Sequence, residues 1–119
     1  MTIQRFESGP RMSQAVTYGD MVYLAGQTAG TVEGTGVTAQ TQEILGEIDR
    51  LLALAGSDKS RILTATIYLA DIATFSEMNA AWEPWVSPDN KPTRATLEAK
   101  LAAPEYLVEI VVTAVKSAS

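Results

Sequence analysis

Arg61-Ile62-Leu63-Thr64-Ala65-Thr66-Ile67-Tyr68-Leu69 is the stretch that decides the fold class. It is rich in β-branched residues and apolar on both alternations, which predicts a central strand covered on both sides. A helical pattern lies on either side of it. In Val37 to Ala55, the residues Ile44, Leu45, Ile48, Leu51, Leu52 and Ala55 recur at helical spacing, while Glu43, Glu47, Asp49 and Arg50 fall largely on the opposite face. Thr38 is the expected N-cap, and Gly56 stands where a left-handed stop belongs. After the strand, Thr74-x-x-Glu77 reads as a capping box opening a second helix with Phe75, Met78, Trp82 and Val86 on its inner stripe. Pro84 lacks a donor and crowds the carbonyl of Ala80, so this helix should kink or end early. Trp82 and Trp85 suit core or interface packing better than an aromatic binding platform.

The remaining segments read as strands. Residues 2–6 suggest a short edge strand, followed by the turn Ser8-Gly9-Pro10. Residues 13–18 and Met21 to Ala25, joined at Gly19-Asp20, suggest a hairpin. Residues 28–36 hold Gly30, Gly34 and Gly36 and read as a mobile loop. They lack both G-x-G-x-x-G spacing and a following Lys-Ser/Thr, so they resemble no phosphate cradle. Pro92 suits the start of a strand over 93–98, Ala102 to Tyr106 a loop, and Leu107 to Val115 a long strand. The 119 residues make one α+β domain, 1–119, with two helices on one face of a mixed sheet. The other sheet face keeps apolar side chains with no helix to cover them, which predicts self-association.

Composition removes whole classes of function. The chain has neither Cys nor His, which excludes thiolate and serine–histidine nucleophiles, imidazole acid–base chemistry and most transition-metal sites. The net charge of −5 argues against nucleic acid as a partner. No apolar run approaches a bilayer span, so no membrane partner is expected. The N-terminus lacks a basic-then-apolar signal pattern, and a cytoplasmic location follows as the expectation.

Two charges stand out in otherwise apolar strands. In Pro92-Thr93-Arg94-Ala95-Thr96-Leu97-Glu98 the side chains of Arg94, Thr96 and Glu98 point one way. Glu109 interrupts Leu107-Val108-Glu109-Ile110-Val111-Val112. A guanidinium offers a planar fork for a carboxylate, and a glutamate can orient or deprotonate water. Alternatively, Arg94 stands on a solvated face, or the two neutralise each other. Residue pattern alone leaves these open, because strand register is not legible.

Taken in order, several short pieces resemble the Rid family (also called YjgF), the reactive-intermediate deaminases. They are Gly9-Pro10 with Ser13-Gln14-Ala15, Val22-Tyr23-Leu24-Ala25-Gly26-Gln27, Gln40-Thr41, Ala55-Gly56, Asp71 with Phe75 and Asn79, Pro92-Thr93-Arg94, and Val108-Glu109-Ile110 with Ala114. The resemblance implies a chorismate-mutase-like fold assembled as a homotrimer, with an inner β-barrel, outer helices and ligand clefts between subunits. It also implies hydrolysis of imines, tautomers of enamines such as 2-aminoacrylate, to 2-keto acids and ammonia, with no metal or organic cofactor. By that resemblance Arg94 binds the substrate carboxylate and Glu109 holds the attacking water. Thr96, Gly26, Ala25 and Met12 complete the substrate-binding set. Thr96 stands where the family often has cysteine, Ala25 where it has serine, and Gly9-Pro10-Arg11-Met12-Ser13-Gln14 is one residue longer than the family turn and lacks its tyrosine. These departures suggest a side branch that keeps the arginine.

An imine is already electrophilic, so its hydrolysis needs little acid–base apparatus, and a chain without His or Cys can support it. The alternative is a non-catalytic protein that binds keto or amino acids in the same cleft. The ribonuclease activity often ascribed to the family fits poorly with the acidic charge and the missing His.

Overall fold

The computed structural model describes residues 1–117. Three antiparallel strands open the chain: β1 (Ile3–Ser8), β2 (Ser13–Tyr18) and β3 (Met21–Leu24). Helix α1 (Val37–Leu54) leads through a short 3-10 turn into β4 (Ile62–Leu69). Helix α2 (Phe75–Trp85), β5 (Thr93–Glu98) and β6 (Val108–Val115) complete the domain. The six strands form one mixed sheet in the order β1-β2-β3-β6-β4-β5, in which only β4 and β5 run parallel. The expected α+β class, the element order and the placement of both helices over one face all hold.

Alternation determines which side chains the helices cover. Val22, Leu24, Ile62, Ala65, Ile67, Leu69, Val108, Ile110, Val112 and Ala114 are buried beneath α1 and α2. They meet Ile44, Leu45, Ile48, Leu51 and Leu52 of α1 in a single core. The opposite alternation is open: Tyr23 is 46% and Leu97 42% exposed, and Thr66, Tyr68, Val111 and Thr113 are half-buried. Within this chain β4 is therefore covered on one side only, contrary to the expectation of cover on both. Its second apolar alternation is polar in practice, with Thr64, Thr66 and Tyr68 facing out. A register shift between Ile62 and Thr64 leaves Leu63 exposed.

The helix ends differ in detail from the expected caps. Gly36, not Thr38, is the N-cap residue of α1, and Thr38 Oγ1 instead donates to the Glu77 carbonyl, tying α1 to α2. Gly56 does stop α1, with φ +84°. The capping box at Thr74 does not form: Thr74 Oγ1 donates to the Asp71 carbonyl, within the 3-10 turn Ile72–Thr74 that precedes α2. Pro84 lies in the last turn of α2, which ends at Trp85. The 28–36 loop is tied down by Glu43, whose Oε2 accepts from the Gly30 and Thr31 amides. Thr31 above all, with a smaller contribution from the Gly30 amide, holds the Glu43 carboxyl below its usual range. Buried Gln40 fixes the loop before β6, donating to the Glu105 carbonyl at 3.1 Å and accepting from the Leu107 amide at 3.0 Å.

Candidate active-site cleft

Strand β5 is the edge of the sheet, and its register places Arg94 opposite Ala65 of β4. Ala65 faces the helices, so Arg94 turns toward α2. There Nη1 donates to Asn79 Oδ1 at 2.7 Å and lies 3.9 Å from Met78 Sδ. The guanidinium carbon sits 5.5 Å from the Phe75 ring centroid and 5.4 Å from that of Trp82. Each such stacking contact contributes about 0.5–1 kcal/mol at partly exposed sites. Two rings and an amide thus fix the guanidinium without spending it: among the described residues no carboxylate lies within ion-pair distance, and Nη2 and Nε donate to none. Burial pushes the Arg94 pKa down from its ordinary value, and the charge of Glu83 acts in the opposite sense.

Arg94 opens onto a cleft of about 520 Å³ lined by Asn79, Trp82, Glu83, Val86, Pro88 and Lys91. The wall on the α2 side mixes an amide, an indole and a carboxylate, and Lys91 stands at the rim with Nζ donating to the Pro88 carbonyl. The cleft therefore presents an uncommitted fork beside an apolar surface, an arrangement that binds a carboxylate with an organic tail. Two positions further along, Thr96 shares the Arg94 face of β5. Its Oγ1 is buried and has no partner among the described residues.

Glu109 is placed elsewhere. It pairs with Tyr68 in the antiparallel ladder between β6 and β4, on the open face of the sheet. Its carboxylate lies against Gly26, where a Cβ would meet Oε2 and turn the Glu109 side chain aside, so the glycine leaves room for this approach. The neighbouring bridge is firm: Gln27 and Ile110 exchange backbone hydrogen bonds at 2.9 and 3.1 Å, and Gln27 Nε2 donates to Gln14 Oε1 and to the Ala25 carbonyl. Ala25 is half-buried, and Met12, in the turn between β1 and β2, is 47% exposed.

The expected site residues thus fall into two groups. Arg94 and Thr96 belong to the helix face of β5, whereas Glu109 and Gly26 belong to the open face, with Ala25 beside Gly26. Within one chain Arg94 and Glu109 neither meet nor neutralise each other, because β4 separates their strands and the parity of the register puts them on opposite faces. Sequence reasoning assigned Phe75 and Trp82 to packing and passed over Glu83 and Lys91. Trp82 is indeed buried, at 6% exposure, but its ring also supports the guanidinium. Helical spacing carried the missing signal: Phe75, Asn79, Trp82 and Glu83 lie at i, i+4, i+7 and i+8, one face of α2.

Comparison with known proteins agrees with this fold. The family profile described as Endoribonuclease L-PSP matches residues 2–116. A RutC family protein from Haemophilus ducreyi is 49% identical over 112 residues, covering 94% of this chain and 95% of the relative. The RutC family protein YoaB from Escherichia coli is 40% identical over 116 residues, covering 96% and 98%. Among solved structures, a YjgF family protein from Neisseria meningitidis superposes with a TM-score of 0.97 at 43% identity, covering 100% of this chain and 98% of that one.

Proposed function

This chain belongs to the YjgF/RutC family, and on that premise we propose that it hydrolyses reactive imines, formed from enamines such as 2-aminoacrylate, to 2-keto acids and ammonia. The observation that carries the reading is Arg94: half-buried, stacked between two rings, bonded to Asn79, and free of any carboxylate among the described residues. A cation held this way is prepared for an anionic ligand rather than used as structural glue. Arg94 takes the substrate carboxylate and fixes the adjacent C=N carbon in the cleft. Water adds to that carbon, the carbinolamine loses ammonia, and the carbonyl of the keto acid remains. Thr96, two residues on, contributes through its backbone.

Opposite faces of one sheet have a consequence for assembly. If Glu109 holds the attacking water near a ligand on Arg94, it must come from a second copy of the chain. The half-exposed Tyr23 and Leu97 on the open face give such a copy an apolar surface to cover, which supports a homotrimer with clefts between subunits. Gly26, Ala25 and Met12 would then border the cleft from Glu109's side.

A ribonuclease reading has less support: the net charge is −5 and the chain has no His. A pure binding role rests on the altered positions around the anchor, the tyrosine missing from the Gly9–Gln14 turn and Ala25 in place of serine, and predicts saturable keto-acid binding without turnover. The deciding assay generates 2-aminoacrylate in situ and follows its loss with wild type and Arg94→Ala. The reading requires acceleration over buffer that falls about tenfold or more in the variant, the scale for losing a hydrogen bond to a charged group. It fails if wild type gives no acceleration or if Arg94→Ala is fully active.

A further inference from the structure

Besides Arg94, the cleft holds a charge of the opposite sign. Glu83 lies one helical turn beyond Asn79 on α2, i to i+4, and lines the same cavity as Arg94. It is exposed, and among the described residues its carboxylate accepts no hydrogen bond and closes no ion pair, not even with Arg94. Opposite charges that share a cleft normally collapse onto each other. Here the stacking on Phe75 and Trp82 and the bond to Asn79 hold the guanidinium back, and a gap remains.

We propose that this open Arg94–Glu83 pair is a receptor for a zwitterion, and that Glu83 is the residue that faces the substrate's nitrogen. The inference rests on the imine-hydrolysis reading for its catalytic part. A 2-imino acid in its protonated form carries a carboxylate and an iminium on adjacent carbons. With the carboxylate on Arg94, the iminium N–H groups point along the α2 wall toward Glu83. A carboxylate beside the nitrogen favours the protonated iminium over the neutral imine, and the iminium is the form that water attacks. The same charge discriminates after the reaction. The keto-acid product has an oxygen where the cationic nitrogen stood, so Glu83 faces a lone pair, and release of the product is favoured.

This assignment separates from the deaminase reading by experiment. Calorimetry compares wild type, Glu83→Gln and Glu83→Asp with two unreactive probes, L-alanine and pyruvate, which share the methyl and carboxylate and carry an ammonium or a carbonyl oxygen on the carbon between them. Glu83→Gln is expected to lose about tenfold or more of the alanine-to-pyruvate affinity ratio, the scale of one charge-assisted hydrogen bond, and Glu83→Asp to recover part of it. In turnover of 2-aminoacrylate, Glu83→Gln is expected to lower kcat/KM about tenfold or more with pyruvate inhibition strengthened. An unchanged ratio in Glu83→Gln overturns the zwitterion receptor even where wild type is an active deaminase. A shifted ratio in a chain without deaminase activity upholds the receptor and rejects the reaction.

Discussion

Helices α1 and α2 lie side by side on one sheet, yet they are used differently. Helix α1 buries a continuous apolar stripe and turns its charges to solvent, where Arg50 bridges Glu7 and Glu47. Helix α2 buries Met78, Ala81 and Trp82, then gives the adjoining part of its surface to Phe75, Asn79 and Glu83 around a cation from β5. One helix closes the core. The other closes it only in part and leaves a charged strand edge accessible. The candidate site lies where the helix stops covering the sheet, because only there can a fixed charge stay both desolvated and reachable.

Truncating each helix at its centre gives the sharpest contrast. Ile48 of α1 is fully buried, so Ile48→Ala should cost about 2–5 kcal/mol in urea unfolding. Affinity for a keto acid, measured on the folded fraction, should be little changed. The reverse pattern is expected on α2. Asn79→Ala removes the 2.7 Å bond to Arg94 and should weaken keto-acid binding by about 1.5–3 kcal/mol, the range for hydrogen bonds to charged groups. Its urea midpoint should shift little, since Asn79 is only half-buried. Equal losses of stability in both variants would erase the division between the helices.

The smallest effect concerns Glu43 on the solvated side of α1. Its folded pKa lies below the unfolded value, so its contribution is present above the ordinary glutamate range and is lost as pH falls through the depressed folded pKa. Hydrogen exchange at the Gly30 and Thr31 amides, corrected for intrinsic pH dependence, should lose protection over that acid window and also in Glu43→Gln at neutral pH. Unaltered protection in both would mean that the loop is held by something else.

Legibility in the sequence followed the same division. The stripe of α1 could be read directly, since six apolar residues at helical spacing allow one packing face. The fold class followed from Arg61 to Leu69 and its flanking helices, although the threonines of β4 were read as covered when they face the open side. Arg94 and Glu109 were visible as charges in apolar strands, but their relation was not. It depends on β4 entering between β5 and β6 and on the parity of two ladders, neither of which residue order specifies. Aromatic residues on α2 satisfy both packing and cation stacking with the same spacing, so Trp82 passed as core. Glu83 looked like any charge on a solvated helix face until the cleft placed it beside Arg94.

The central claim is that Arg94 is an open carboxylate anchor in a cleft completed by a second copy. A crystal structure with pyruvate soaked into the assembled protein tests it most directly. The account predicts the pyruvate carboxylate on the Arg94 guanidinium beside Asn79 and Trp82, with Glu109 of another copy facing the keto carbon. Arg94 closed onto Glu83 with pyruvate absent from the cleft, or pyruvate bound with no second copy near it, would contradict the account.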